Sequence, residues 1–106
     1  MIAETPTPPY FVVIFTSVRT EGDYGYNEMA DQLVELACEQ DGFLGVESAR
    51  DEIGITVSYW RDLESIFHWR ENIEHSIARK LGRELWYSSF KTRIAKVERD
   101  YGFEKE

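Results

Sequence analysis

From Tyr10 onward the chain alternates between stretches with a two-residue hydrophobic period and stretches with a helical one. Tyr10 to Arg19 reads as a strand. Its two alternating sets are both apolar, Phe11, Val13 and Phe15 on one side and Val12, Ile14 and Val18 on the other. A strand apolar on both sides is covered on both sides. Glu21-Gly22-Asp23 is a turn in which Asp23 can cap a helix. That helix begins near Tyr26, with Met29, Ala30, Leu33, Leu36 and Ala37 at helical spacing and Asn27, Glu28, Asp31, Gln32, Glu35 and Glu39 opposite. Gly42 fits the residue just past its end.

Phe43 to Arg50 and Ile55 to Trp60 are two further strands, and the short turn Asp51-Glu52-Ile53-Gly54 joins them as an antiparallel hairpin. Asp62 is placed to cap a second helix, along which Leu63, Ile66, Ile73, Ile77 and Leu81 recur; Gly82 ends or bends that run. A long strand from Trp86 to about Arg99 closes the chain. The order β-α-β-β-α-β is the split βαβ plan: an α+β, ferredoxin-like domain with a four-stranded antiparallel sheet and both helices on one face. The other face of so small a sheet then needs a cover, and a second copy of the chain supplies it by pressing sheet against sheet, as a barrel-like homodimer. Residues 1–9 hold all three prolines and read as an extended, flexible tail, which can also strap a neighbouring subunit; 10–106 form the domain.

Composition narrows the partners. A net charge of −8 on 106 residues is the wrong sign for phosphate backbones or anionic membranes, so neither nucleic acid nor membrane is expected. The longest apolar run, Phe11 to Phe15, is far too short to span a bilayer, and the chain does not open on a signal-peptide pattern. One cysteine, Cys38, cannot form an internal disulfide, which fits the cytoplasm. Fifteen aromatic rings are more than one small core needs, so some are expected to line a cavity or a subunit contact.

Few residues suggest chemistry. His68 and His75 are seven apart, roughly 10 Å along a continuous helix, too far for one shared metal. A break near Asn72 would let His75 turn inward as a proton donor or acceptor; otherwise both are surface or interface histidines. Trp60 and Trp69 are either core packing or the walls of a cavity suited to a flat aromatic ligand. Arg70 falls near the centre of the apolar stripe, where it either lets its head escape to water or points a guanidinium at a phenolate, enolate or carboxylate. The chain has no Gly-rich phosphate loop, no HExxH, no CxxC and no Gly-x-Ser-x-Gly elbow.

Together, the element order, Gly42-Phe43-Leu44-Gly45, Tyr59-Trp60 followed by Leu63-Glu64-Ser65-Ile66 and Trp69, the His68/His75 spacing and the ending Trp86-Tyr87…Arg93-Ile94-Ala95-Lys96-Val97-Glu98 resemble the antibiotic biosynthesis monooxygenase (ABM) domain family over residues 10–101. The resemblance implies a dimeric α+β barrel with one cavity per subunit. It also implies a reaction in which a deprotonated phenol- or quinol-like metabolite supplies electrons to molecular oxygen, with no metal or organic cofactor. His75 and Asn72 then stand as candidate catalytic groups, and Trp60, Trp69 and Arg70 as candidate ligand contacts. The same cavity also suits a non-catalytic dimer that binds a small ligand. Haem-degrading relatives use an Asn on the first strand, a Trp on the second helix and a His ten residues after that Trp. Trp69 matches, but the other two positions fall near Phe15 and on Arg79, so a haem-binding or haem-degrading relative is the least favoured of the three readings.

Overall fold

The computed structural model describes residues 1–74 and 80–105. Its strands are β1 (Tyr10–Arg19), β2 (Phe43–Arg50), β3 (Gly54–Trp60) and β4 (Tyr87–Val97), in sheet order β2-β3-β1-β4 with every neighbouring pair antiparallel. Helix α1 (Tyr26–Cys38) follows β1, and α2 (Leu63–Glu74) follows β3. This is the expected ferredoxin-like order, and the two-sided apolar strand sits inside the sheet, as its pattern requires.

Register fixes which residues share a face. Phe11 lies opposite Trp60 and Lys96, Val13 opposite Ser58 and Ile94, and Ser17 opposite Gly54 and Phe90. This set faces the helices, because Trp60 stacks on Trp69 of α2. Val12, Ile14 and Val18 face the other way, with Tyr59, Val57, Ala95 and Arg93 beside them.

The helix starts follow side-chain chemistry. Asp62 Oδ1 accepts the Ser65 N–H at 2.7 Å and the Ser65 hydroxyl at 2.7 Å, capping α2 as its position predicts. These bonds, with Arg61, hold the Asp62 carboxyl down at about 2. Asp23 works from further back: its carboxylate accepts the N–H groups of Gly25 and Asn27, while Gly25, left-handed at φ 81°, stands at the cap position itself.

Gly42 is not the residue just past α1, which gives way at Glu39. It sits three residues on, at φ 88°, and its bare α-carbon makes room for Ser65 of α2: a Cβ there would lie 2.0 Å from Ser65 Oγ. Gly42 is therefore the contact between the β2 entry and the start of α2. Gly42→Ala should cost about 2–3 kcal/mol, from left-handed strain plus overpacking, seen as a lower urea midpoint with an unchanged slope; an unchanged midpoint would show that the contact yields freely.

The last strand starts one residue later than its pattern suggests. Gly82–Trp86 forms a π-helical turn. Trp86, only 3% exposed, donates its indole N–H to the Tyr24 carbonyl at 3.0 Å, and its own carbonyl accepts from Thr20 N–H and Arg19 Nε. These bonds pin the turn to the end of β1 before the chain straightens.

Residues 1–9 carry no helix or strand, in keeping with their prolines, but they lie on the outer sheet face of their own chain. The Ala3 N–H donates to Glu47 Oε2 at 2.8 Å, and Ala3 Cβ rests where a Gly45 side chain would be. Thr5 donates to the Tyr10 hydroxyl at 3.0 Å, and Tyr10 donates in turn to Asp100. Tyr59 donates to Glu47, which pushes the Tyr59 phenol up to about 12. This cover leaves Tyr10 and Val12 buried, while Ile55 and Val18 farther along the same face stay 44% and 38% exposed.

Candidate functional site

The helix-side face of the sheet has two different ends. At one end β3 finishes on Trp60, which is fully buried. Trp60 meets Phe43 of β2 edge-on at 5.4 Å and stacks on Trp69 at 6.0 Å and 28°. Its indole N–H donates to Ser58 Oγ at 2.9 Å. The nine-residue spacing of the two tryptophans thus becomes a stack, with Trp69, half-buried, on the outer side.

The other polar candidates of α2 within the described residues are exposed. His68 is exposed, 3.5 Å from Glu64 one turn back. Asn72 is exposed and donates to Gln40 Oε1 at 3.4 Å, tying α2 to the end of α1. Arg70 is exposed. His75 lies outside the described residues. Among those residues no three His, Cys, Asp or Glu side chains converge as metal ligands. Phe15 of β1 packs against Tyr87 and Phe90 at ring distances of 5.4 and 5.3 Å.

The opposite end is polar and aromatic, and no local pattern announces it. Arg50, Gly54 and Ser17 stand in one row across β2, β3 and β1. The Arg50 side chain crosses Gly54, where a Cβ would lie 2.0 Å from its guanidinium carbon, and donates to the hydroxyl of Ser17, itself 2% exposed. In the next row Arg19 lies opposite Tyr87. Its guanidinium stacks over the Tyr26 ring with Cζ 3.5 Å from the centroid, and Arg50 approaches the same ring at 6.0 Å. Tyr26 and Tyr87 meet edge-on at 5.7 Å and share a hydrogen bond. Burial, then that bond, drives the Tyr87 phenol well above its usual range, although both arginines oppose the shift.

Among the described residues neither arginine has a carboxylate partner. Their donors go to carbonyls and one hydroxyl: Trp86, Gly22 and Asp23 carbonyls for Arg19, Ser17 for Arg50. In a chain with 20 acidic and 12 basic residues, two unpaired guanidinium groups on one ring are out of keeping with the whole.

No protein-family model matches the chain. It is 51% identical over 106 residues to the uncharacterized protein YqjZ of Bacillus subtilis, covering 98% of this chain and 93% of that one. Among solved structures, SnoaB, a cofactor-independent oxygenase from Streptomyces nogalater, superposes with a TM-score of 0.73 over 86% of this chain and 95% of its own at 8% identity. A Bordetella bronchiseptica protein named for the antibiotic biosynthesis monooxygenases superposes with a TM-score of 0.66 over 83% and 96% at 16% identity. At such identities the likeness speaks for the fold, and the 51% match for the family. The chain belongs to the same family as YqjZ, and its fold is that of the antibiotic biosynthesis monooxygenases.

Proposed function

We propose that the protein is a homodimeric, cofactor-independent monooxygenase acting on a small phenol- or quinol-like aromatic metabolite. The observation that carries this reading is the superposition on SnoaB. The aromatic lining of the helix-side face supports it, with Trp69 outward of Trp60 at one end and Phe15, Phe90 and Tyr87 at the other.

In this mechanism the bound phenol loses a proton, and the electron-rich anion reduces oxygen at an activated ring-bridging CH₂. One oxygen atom becomes the new carbonyl and the other leaves as water, taking both hydrogens, so no external reductant is needed. His75 or Asn72 handles the proton, Arg70 faces the phenolate, and Trp69, backed by the buried Trp60, forms the aromatic wall. The site works by excluding water and holding developing charge.

Dimerisation is supported by the apolar residues left open on the sheet. The outer sheet face, where Ile14, Val18, Ile55 and Val57 are not fully covered, is the surface that a second copy would take. No helix among the described residues is long and apolar enough to cross a membrane, and the reading places the protein in the cytoplasm.

A non-catalytic, ligand-binding dimer is the second reading. It is favoured by the outward placement of Asn72, whose amide is engaged with Gln40. Oxygen uptake with a panel of hydroxylated anthrones and quinols separates the two. The first reading expects substrate-dependent uptake with no added metal or cofactor. A folded protein that consumes no oxygen across the panel, yet retains an aromatic ligand in native mass spectrometry, would establish the second.

A further inference from the structure

The arginine pair has no role in the aromatic wall just described, and its surroundings say what it could hold. Its row on the sheet ends on β4 at Phe90, directly opposite Ser17. Phe90 and Ile94 project from β4 on the helix side, four residues apart on one face, and are 42% and 46% exposed. An open apolar shelf thus runs along the edge strand toward two guanidinium groups that meet no carboxylate among the described residues. Gly54 is shaped to this arrangement, since any side chain there would displace Arg50 from its path over β3.

We propose that Arg19 and Arg50 form an anion-recognition site, which takes the carboxylate of an aromatic acid whose ring system lies on Phe90 and Ile94. The proposal rests on reading the helix-side face as a ligand site and adds the chemical class of the ligand. Guanidinium forks suit a planar carboxylate and give it direction. Tyr26 is the floor that holds both forks in place: Arg19 is stacked on its ring, and Arg50 stands beside it. A phosphate fits less well. Phosphate sites draw on successive backbone N–H groups or a helix N-terminus, whereas the backbone groups that meet these arginines are carbonyls. The net charge of −8 also favours a singly charged ligand over a doubly charged one.

The test uses three probes with one ring system, 2-naphthoate, 2-naphthyl phosphate and 2-naphthylmethanol, titrated into the full-length protein by calorimetry. Naphthoate should bind about tenfold more tightly than the neutral alcohol, the size of one charge-assisted hydrogen bond, and more tightly than the phosphate. Arg50→Met should remove that preference, Arg50→Lys should restore part of it, and Gly54→Ala, which keeps both arginines but moves one, should weaken naphthoate while leaving the alcohol unchanged. Circular dichroism guards against misfolding. If Arg50→Met fails to fold because Ser17 loses its partner, Arg19→Met and Gly54→Ala carry the comparison. Equal affinity for acid and alcohol, a preference for the phosphate, or an acid preference that survives every folded variant overturns the proposal. None of these readouts requires turnover. A protein that consumes no oxygen yet keeps its naphthoate preference would lose the monooxygenase reading and keep this site.

Discussion

Trp60→Ala should destabilise the protein by about 4 kcal/mol, the cost of removing a fully buried large aromatic side chain. A domain of ~100 residues has about 5–15 kcal/mol in all, so the variant should be partly unfolded at room temperature or melt far earlier. The size of the effect follows from position. Trp60 is the cross-strand partner of both Phe11 on β1 and Phe43 on β2, and on its outer side it carries Trp69. Its removal therefore leaves a cavity where three strands and a helix meet, and orphans Ser58 Oγ of its donor. Urea unfolding followed by circular dichroism measures the loss. Trp69→Ala, on a half-buried ring, is the control and should cost about half as much. If instead Trp60→Ala keeps its midpoint and loses only affinity for aromatic ligands, Trp60 is part of the ligand contact and the core lies elsewhere.

Much of this arrangement was legible in the sequence because it depends on local pattern. The two-sided apolar run of β1 announced a strand inside the sheet, Asp62 announced the start of α2, and the tryptophan spacing announced that β3 leads straight into a helix carrying a second indole. Gly42 misled because a glycine after an apolar helical stripe is what a helix end looks like. Its real constraint, the approach of Ser65, comes from a residue 23 positions away. Trp86 looked like strand because β propensity does not see the π turn imposed by its bonds to Tyr24, Thr20 and Arg19. The tail's proline content spoke for extended chain and was silent on Glu47 and Gly45, which receive it. The Arg50–Gly54–Ser17 row could not be read at all. It exists only once three strands adopt one register, and in sequence Gly54 is simply a turn residue.

On the proposed sheet-to-sheet assembly, Ile14→Glu should convert a dimer of about 25 kDa, twice the 12.4 kDa chain, into a monomer in sedimentation at micromolar concentration. Ile14 lies near the middle of β1 on the outer face, opposite Val57 on one side and Arg93 on the other. In a single chain the new carboxylate is tolerable, because Arg93 stands across the strand pair and an opposite-charge pair there contributes a few tenths of a kcal/mol. In a face-to-face dimer the same carboxylate is buried together with its symmetry copy. Burying a charge among apolar residues costs several kcal/mol per ion, which is more than a thousandfold in dissociation constant. Val34→Glu, on the exposed side of α1 at 43% exposure, adds the same charge away from the sheet and should leave the dimer intact. The variant thus separates a sheet-face contact from general charge repulsion in a chain that already carries −8. A wild-type protein that sediments as a monomer, or an Ile14→Glu protein that still dimerises with unchanged affinity, would falsify the sheet-to-sheet assembly.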